Sequence, residues 1–238
     1  MLTTSNNAGS LGDYLSLTPL FNHTQCSVQI FENERSRELS KVYEGIAEVE
    51  FVNHPVDPIN QTNDDVCFSQ RILNHYKAFD QSPIPKIKIT KEEEEWATEF
   101  LSKYNNPICF NRTVGKPNTG HPLAKYRQIS INVSKQIISQ CEASGHTVLN
   151  FCLSSNYEKI NNEIPVLDLP IRKLAACFHK IKKYIGSDTG DYHLMLSVGG
   201  IAKVFIPPSD WHYDHRKHLY LDYAWQKEPK RIDYFLIK

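Results

Sequence analysis

Residues 184–194 read YIGSDTGDYHL, and this stretch decides the fold. It opens on an apolar run that ends at Gly186, passes through the polar turn Ser187 to Gly190, and continues into the apolar segment 193–198. That order predicts a strand, a tight turn and a helix. In an open α/β sheet such a turn lies beyond the carboxyl end of its strand, where the next helix presents its N-terminus.

The rest of the chain repeats this alternation of strand and helix. In the first part, strands at 27–31 and 47–52 flank a charged helix at 34–44, after a polar opening and an apolar stretch from Tyr14 to Phe21. In the second part, helices are expected at 90–104, 131–143 and 171–182, between strands at 86–89, 107–110, 147–153, 166–169 and 203–206. Thr90 and Glu93 have capping-box spacing. The fold class is therefore α/β with parallel strands.

Ser82-Pro83-Ile84-Pro85 interrupts the pattern and places the link between two lobes. We therefore predict an N-terminal lobe over residues 1–85 and a C-terminal lobe over 86–238. Residues 53–63 are predicted to form a loop, and a short helix is expected at 69–79.

The overall amino-acid composition argues against several classes of function. Lys plus Arg equals Asp plus Glu, at 27 each, so no net charge recruits nucleic acid. We expect neither a signal peptide nor a transmembrane segment. The six cysteines are scattered without a CxxC pair, which favours buried thiols and a cytoplasmic location.

The turn at 187–190 has the chemistry of an anion site. The free N–H groups of a helix start attract a phosphate, the Thr189 hydroxyl adds a donor, and Gly190 permits close approach. Asp188 is expected to cap the turn or hold the loop, and His193 to reach a phosphate oxygen or hold the loop from the helix. The same residues also fit a helix cap followed by a turn glycine, with no ligand at all.

The sequence resembles the ADP-heptose:lipopolysaccharide heptosyltransferase family of GT-B glycosyltransferases. The resemblance covers residues 169–176 (LPIRKLAA) and the segment 184–194, which matches the family's Asp-Thr-Gly-x-x-His-Leu. A second match is the Gly12-Asp13 loop with the following Leu15, Thr18, Pro19 and Leu20. A third is Lys125-Tyr126-Arg127, where the family often has Lys-x-Trp.

This resemblance implies two Rossmann-like lobes facing across a cleft, a compact GT-B arrangement. It implies an inverting, metal-independent transfer from a nucleoside-diphosphate sugar, with no other cofactor, to a glycan, lipid-linked or protein hydroxyl acceptor. By the same resemblance Asp13 is the catalytic base. Lys125, Asp188, Thr189, Gly190 and His193 are expected to bind the donor. Arg112 and Lys116 lie on the same polar loop as Lys125 and are reserve cations.

The sequence departs from the family pattern in two ways, both in the N-terminal lobe. Residues 1–11 are polar, so the family's first strand is expected to be short or absent, and the N-terminal lobe is small. A non-catalytic module that binds a nucleotide sugar or sugar phosphate therefore stays open, as does an epimerase-like enzyme.

His212, His215 and His218 follow one another at three-residue spacing, which would place them on one helix face. No matching Cys or Glu accompanies them, and neighbouring Arg216 and Lys217 would repel a cation. We therefore predict no metal site there.

Overall fold

The structure is a computed structural model that describes residues 2–6, 11, 14–15, 18, 26–53, 85–113, 128–206 and 231–236. Its first part contains a parallel sheet in the order β1-β2-β3. The elements in this part are β1 (Leu2–Asn6), β2 (Cys26–Phe31), α1 (Glu34–Leu39), a 3-10 turn (Ser40–Tyr43) and β3 (Glu48–Val52). Leu11, Tyr14, Leu15 and Thr18 are helical and follow β1.

The second part contains a six-stranded parallel sheet. Its strands are β4 (Pro107–Asn111), β5 (Thr147–Cys152), β6 (Ile164–Leu167), β7 (Lys183–Ser187), β8 (Ile201–Ile206) and β9 (Ile232–Leu236). Four helices connect or precede them: α2 (Lys91–Leu101), α3 (Ile131–Ala143), α4 (Ile171–Ile181) and α5 (Gly190–Ser197).

The strand order of this sheet is β6-β5-β4-β7-β8-β9. The chain runs outward from β4 to β6 and then returns to β7 on the other side of β4. The order therefore reverses between β4 and β7. In doubly wound sheets, that reversal opens a crevice at the carboxyl ends of the two central strands, where ligands bind.

Local sequence explains where the helices begin. Thr90 accepts the N–H of Glu93 while the Glu93 carboxylate accepts the N–H of Thr90, which confirms the capping box. Asn33 and Ser36 cap α1 reciprocally in the same way. Ser130 caps α3 by accepting the N–H of Val133.

One hydrophobic core joins the two sheets. Buried side chains of the first part, including Tyr14, Val28 and Tyr43, belong to the same cluster as Phe178 and Tyr192 of the second. Polar contacts reinforce the join, since the N–H of Ile171 donates to the Glu38 carboxylate at 2.7 Å. A smaller cluster lies on the other face of the second sheet, between that sheet and α3.

The α/β prediction with parallel sheets is confirmed, and most element positions agree within a few residues. The division at residue 85 stays a prediction, and the loop at 53–63 and the helix at 69–79 fall largely outside the described residues. The helix predicted at 34–44 ends earlier than expected, at Leu39. It continues only as the 3-10 turn Ser40–Tyr43.

Two expectations about strands were wrong. Residues 86–89 form no strand, although Ile87 is buried between exposed neighbours. The strand at 203–206 was expected to be the last one, but β9 follows β8. The polar start of the chain forms a short first strand, the five-residue β1, which pairs with β2 in parallel from Leu2 opposite Cys26.

Candidate functional site

The crevice between β4 and β7 is narrow because Gly186 has no side chain. Asn111 and Gly186 are register partners in the two strands. A Cβ on Gly186 would lie 2.3 Å from the backbone oxygen of Asn111, which no side chain tolerates. The Ser187 hydroxyl donates to the same oxygen at 3.2 Å. The carboxyl ends of both central strands are thereby fixed against each other.

The turn that follows β7 begins helix α5 with Thr189 as its N-cap. Thr189 Oγ1 accepts the N–H of Asp191 at 3.3 Å and lies 3.3 Å from the hydroxyl of Tyr184. Its hydroxyl is thus held inside the protein, and the residue is nearly fully buried. The expected cap residue, Asp188, is also buried but is not the N-cap.

A cavity of about 360 Å³ opens at this turn. Thr189, Gly190 and Asp191 line it from the start of α5, and Leu11 and Arg35 line it from the first part of the chain. The remaining described wall comes from the ends of β4, β5 and β6 and the segments after them: Asn111, Thr113, Phe151, Cys152, Leu153, Asn156, Val166, Leu169 and Leu174. The site therefore lies at the carboxyl edge of the second sheet and faces the first part.

Leu11 packs directly on the turn. A Cβ on Gly190 would lie 2.8 Å from the Cβ of Leu11. A glycine is therefore needed at position 190, because Leu11 packs so close to it. Through Leu11, the helical residues after β1 pack against the turn. The sequence had suggested phosphate approach as the reason for this glycine, whereas the packing of Leu11 explains it without a ligand.

Asn111 and Asp191 form a polar pair across the crevice. The amide nitrogen of Asn111 donates to the Asp191 carboxylate. The amide oxygen of Asn111 accepts the N–H of Thr113 at 2.9 Å and its hydroxyl at 3.0 Å. These bonds fix the orientation of the amide, so that its N–H₂ faces Asp191. Burial raises the pKa of Asp191 to about 6, against the smaller opposing effect of the Asn111 hydrogen bond.

Arg35 adds positive charge to the lining of the cavity. It lies on α1, is exposed, and lines the cavity. Among the described residues no carboxylate lies within ion-pair distance of it. Its charge is therefore available to an anion in the cavity.

The residues predicted to bind the donor sugar nucleotide lie in different places. Thr189 and Gly190 line the cavity, Asp188 is buried in the turn, and His193 packs its ring 3.8 Å from that of Tyr192. Asp13 and Lys125 lie outside the described residues, so their roles stay predictions, as does that of Lys116.

Arg112 does not serve as the reserve cation that the sequence suggested. It is buried, and its guanidinium pairs with Glu158 and donates to the backbone oxygen of Ile129 at 3.4 Å. The pair holds the segment after β4 against that following β5.

Sequence reasoning missed Arg35, Asn111 and Asp191 as site residues. Asn111 directly follows a predicted buried strand, and Asp191 stands inside the quoted motif, so position at a strand or turn end was the available signal. Arg35 carried no such signal, because a charged residue on a charged helix is usually only solvated.

Thiols and acids in the described ranges give no metal centre. No group of three or more His, Cys, Asp or Glu side chains there is placed to hold an ion, and the histidines at 212–218 fall outside these ranges. Cys109, Cys141, Cys152 and Cys177 are free thiols, and burial raises the pKa of Cys177 to about 12. None of the helices in the described segments is both long enough and apolar enough to cross a bilayer.

Known structures share this architecture. A family 9 glycosyl transferase from Veillonella parvula superposes with a TM-score of 0.71 at 15% identity, over 99% of this chain and 85% of that one. The E. coli ADP-heptose lps heptosyltransferase II superposes with a TM-score of 0.70 at 9% identity, over 99% and 90%. The chain has the heptosyltransferase fold.

A third structure, E. coli heptosyltransferase WaaC with ADP, has a TM-score of 0.50 at 11% identity and covers 88% of each chain. No family model and no curated protein matches the sequence. The heptosyltransferase fold that the sequence resemblance implied is thus confirmed, with its two-lobed α/β class. At these identities the likeness concerns the fold alone.

Proposed function

We propose that this protein is a glycosyltransferase that transfers a sugar from a nucleoside-diphosphate sugar to a hydroxyl acceptor. One observation carries the proposal: the turn at Thr189 and Gly190 opens into a cavity at the reversal point of the second sheet, with Arg35 in its lining. A diphosphate needs N–H donors and a cation, and this cavity offers both. The WaaC structure with ADP supports the choice of ligand class.

The donor diphosphate binds at the start of α5. The first turn of a helix has N–H groups without intrahelical acceptors. The Thr189 hydroxyl accepts the N–H of Asp191, and we assign the N–H of Gly190, a residue that lines the cavity, as the donor to the diphosphate. Lys125 adds a cationic contact, as the family resemblance implies, and His193 steadies the turn from the helix.

The transfer proceeds with inversion and without a required metal. Asp13 takes the proton of the acceptor hydroxyl as its oxygen attacks the anomeric carbon. The bond from that carbon to the phosphate oxygen breaks, and the diphosphate leaves with the electron pair. Amide N–H groups, Arg35 and Lys125 stabilise the developing charge in place of a metal ion.

The first test is turnover in the presence of EDTA. The protein is incubated with a panel of nucleotide sugars and hydroxyl acceptors, and release of nucleoside diphosphate is measured. We expect Asp13→Ala to lower kcat at least roughly 100-fold while the affinity for the donor is retained, because a general base acts on the chemical step. Asp13→Asn serves as the isosteric control. If both Asp13 variants and Thr189→Ala equal wild type, the site assignment is wrong.

A non-catalytic nucleotide-sugar binding module is the second candidate. The lining of the cavity offers groups that can bind a phosphate, Arg35 and the start of α5, whereas the proposed base Asp13 lies outside the described residues. Saturable binding of a nucleotide sugar without any product, across the acceptor panel, would support the module over the transferase.

A further inference from the structure

The Asn111–Asp191 pair is not used by the transfer chemistry above, although both residues line the cavity. Gly190 and Asp191 line the same cavity, so a diphosphate bound at the N–H of Gly190 would lie near the Asp191 carboxyl group. An ionised carboxylate at that place would repel the diphosphate. A neutral carboxylic acid would instead donate a hydrogen bond to it.

We propose that Asp191 binds the donor in its protonated form and donates a hydrogen bond to a diphosphate oxygen, so that diphosphate binding takes up a proton. The proposal rests on the proposed function, since it concerns the same donor site. It assigns to Asp191 the role of a proton-carrying hydrogen-bond donor that touches the substrate.

Geometry fixes which oxygen carries the proton. Oδ2 of Asp191 accepts from the amide nitrogen of Asn111, which cannot turn away because its oxygen holds Thr113. An oxygen that accepts a hydrogen bond from an N–H₂ group is the poorer site for a proton. The proton therefore resides on Oδ1, the oxygen left for the ligand.

Surrounding groups favour the neutral acid. Burial raises the pKa of Asp191 in the free protein, and an added diphosphate would raise it further by charge repulsion. The Cys109 and Cys152 thiols on β4 and β5 stay uncharged at neutral pH, because burial raises the pKa of both. Two other titratable side chains lie close in sequence: Asp188 is on the turn before α5, and His193 is on α5 itself. Arg35, in the lining of the cavity, would attract the diphosphate itself.

The acid also fits the departure of the leaving group. Negative charge on the diphosphate grows as its bond to the sugar breaks. A hydrogen bond from a neutral acid then strengthens, which favours the transition state over the ground state. No proton needs to leave Asp191 for this effect.

The decisive experiment is titration calorimetry of ADP against pH, between pH 5.5 and 8.5 with EDTA present. It compares wild type with Asp191→Asn, whose amide can accept from Asn111 and donate to a phosphate at every pH. Wild type should lose up to about tenfold in affinity per pH unit above roughly pH 6, since one proton is taken up on binding. Asp191→Asn should lack this loss and bind ADP about tenfold or more tightly than wild type at pH 8.

The controls separate the effect from other causes. Ionisation of ADP itself affects both proteins equally, so the readout is the difference between their pH profiles. Asp233→Asn, an exposed aspartate on β9, should follow wild type. Asp191→Ala should lose the pH dependence but bind more weakly than Asp191→Asn, because it cannot donate.

Three results would overturn the proposal. Coincident pH profiles for wild type and Asp191→Asn would remove it and leave the proposed function standing. Weaker ADP binding by Asp191→Asn at pH 8, or ADP binding only with added Mg²⁺, would assign the carboxylate a different role. If wild type bound neither ADP nor any nucleotide sugar, both the inference and the proposed function would fail.

Discussion

Asp191 makes the stability of the folded protein depend on pH, even without a ligand. Its pKa rises from an ordinary value of 3.8 to about 6 on folding. The folded state therefore binds the proton more tightly, and the stability this gives is present below about pH 4 and lost as the pH rises through 6. Asp191→Asn removes that loss. We expect the variant to be about 2 kcal/mol more stable than wild type at pH 7.5 and equal to it at pH 4.

Thermal unfolding at the two pH values measures this effect. The melting temperature of Asp191→Asn should exceed that of wild type by several degrees at pH 7.5 only. An equal shift at both pH values would show that the substitution acts through packing and not through ionisation.

At the scale of elements, the start of α5 depends on one hydroxyl. Thr189→Val keeps the shape of the side chain but removes the acceptor for the N–H of Asp191. We expect a loss of about 1 kcal/mol, as for other N-caps, while Thr189→Ser should lose clearly less. Denaturant unfolding measures both variants. Equal losses would mean that the methyl contacts of Thr189, and not its hydroxyl, stabilise the turn.

The two glycines beside the cavity differ in what limits them. An added Cβ at Gly186 meets a backbone oxygen of β4, whereas at Gly190 it meets the side chain of Leu11. Because the approach is closer at Gly186, 2.3 Å against 2.8 Å, Gly186→Ala should destabilise by more than Gly190→Ala, which we expect to cost about 1–3 kcal/mol. Denaturant midpoints decide the order, and the reverse order would contradict the tight β4–β7 contact.

Elements were predictable where a sequence pattern has one physical cause. The start of α2 followed from its capping box, and the bounds of α3 and α4 followed from their apolar periodicity. Residues 86–89 were wrongly predicted to form a strand, because Ile87 is buried by packing and not by a neighbouring strand. The N–H of Ile87 donates to the backbone oxygen of Ser197 at 3.3 Å. The polar side chains of β1 left open whether the first strand was short or absent, because its pairing with β2 uses backbone groups. The Asn111–Asp191 contact joins residues 80 positions apart, so no local pattern could show it.

At the scale of the whole molecule, Arg172 connects distant segments. It is buried and donates to the Glu93 carboxylate at 2.6 and 2.7 Å and to the backbone oxygen of Lys88 at 2.7 Å, and it lies 3.6 Å from Glu44. Arg172→Leu removes the cationic partner of the largely buried Glu93 carboxylate, which then keeps only the N–H of Thr90. We expect a loss of roughly 3 kcal/mol or more in the free energy of unfolding.

A matched control comes from an exposed ion pair. Arg37 pairs with Glu32 at the surface, so Arg37→Leu should cost less than about 1 kcal/mol. Urea unfolding compares the two variants. Similar small losses would show that the contacts of Arg172 with Glu93 and Lys88 do not stabilise the packing of α4 against α2.

The central claim is that a nucleoside diphosphate binds at the carboxyl ends of β4 and β7. Hydrogen exchange with and without ADP tests it most directly, in peptides that cover 109–113 and 187–192. We expect slower exchange in both peptides when ADP is present, with little change in α2 on the far side of α4. Unchanged exchange in both peptides at saturating ADP, or protection confined to another surface, would contradict it.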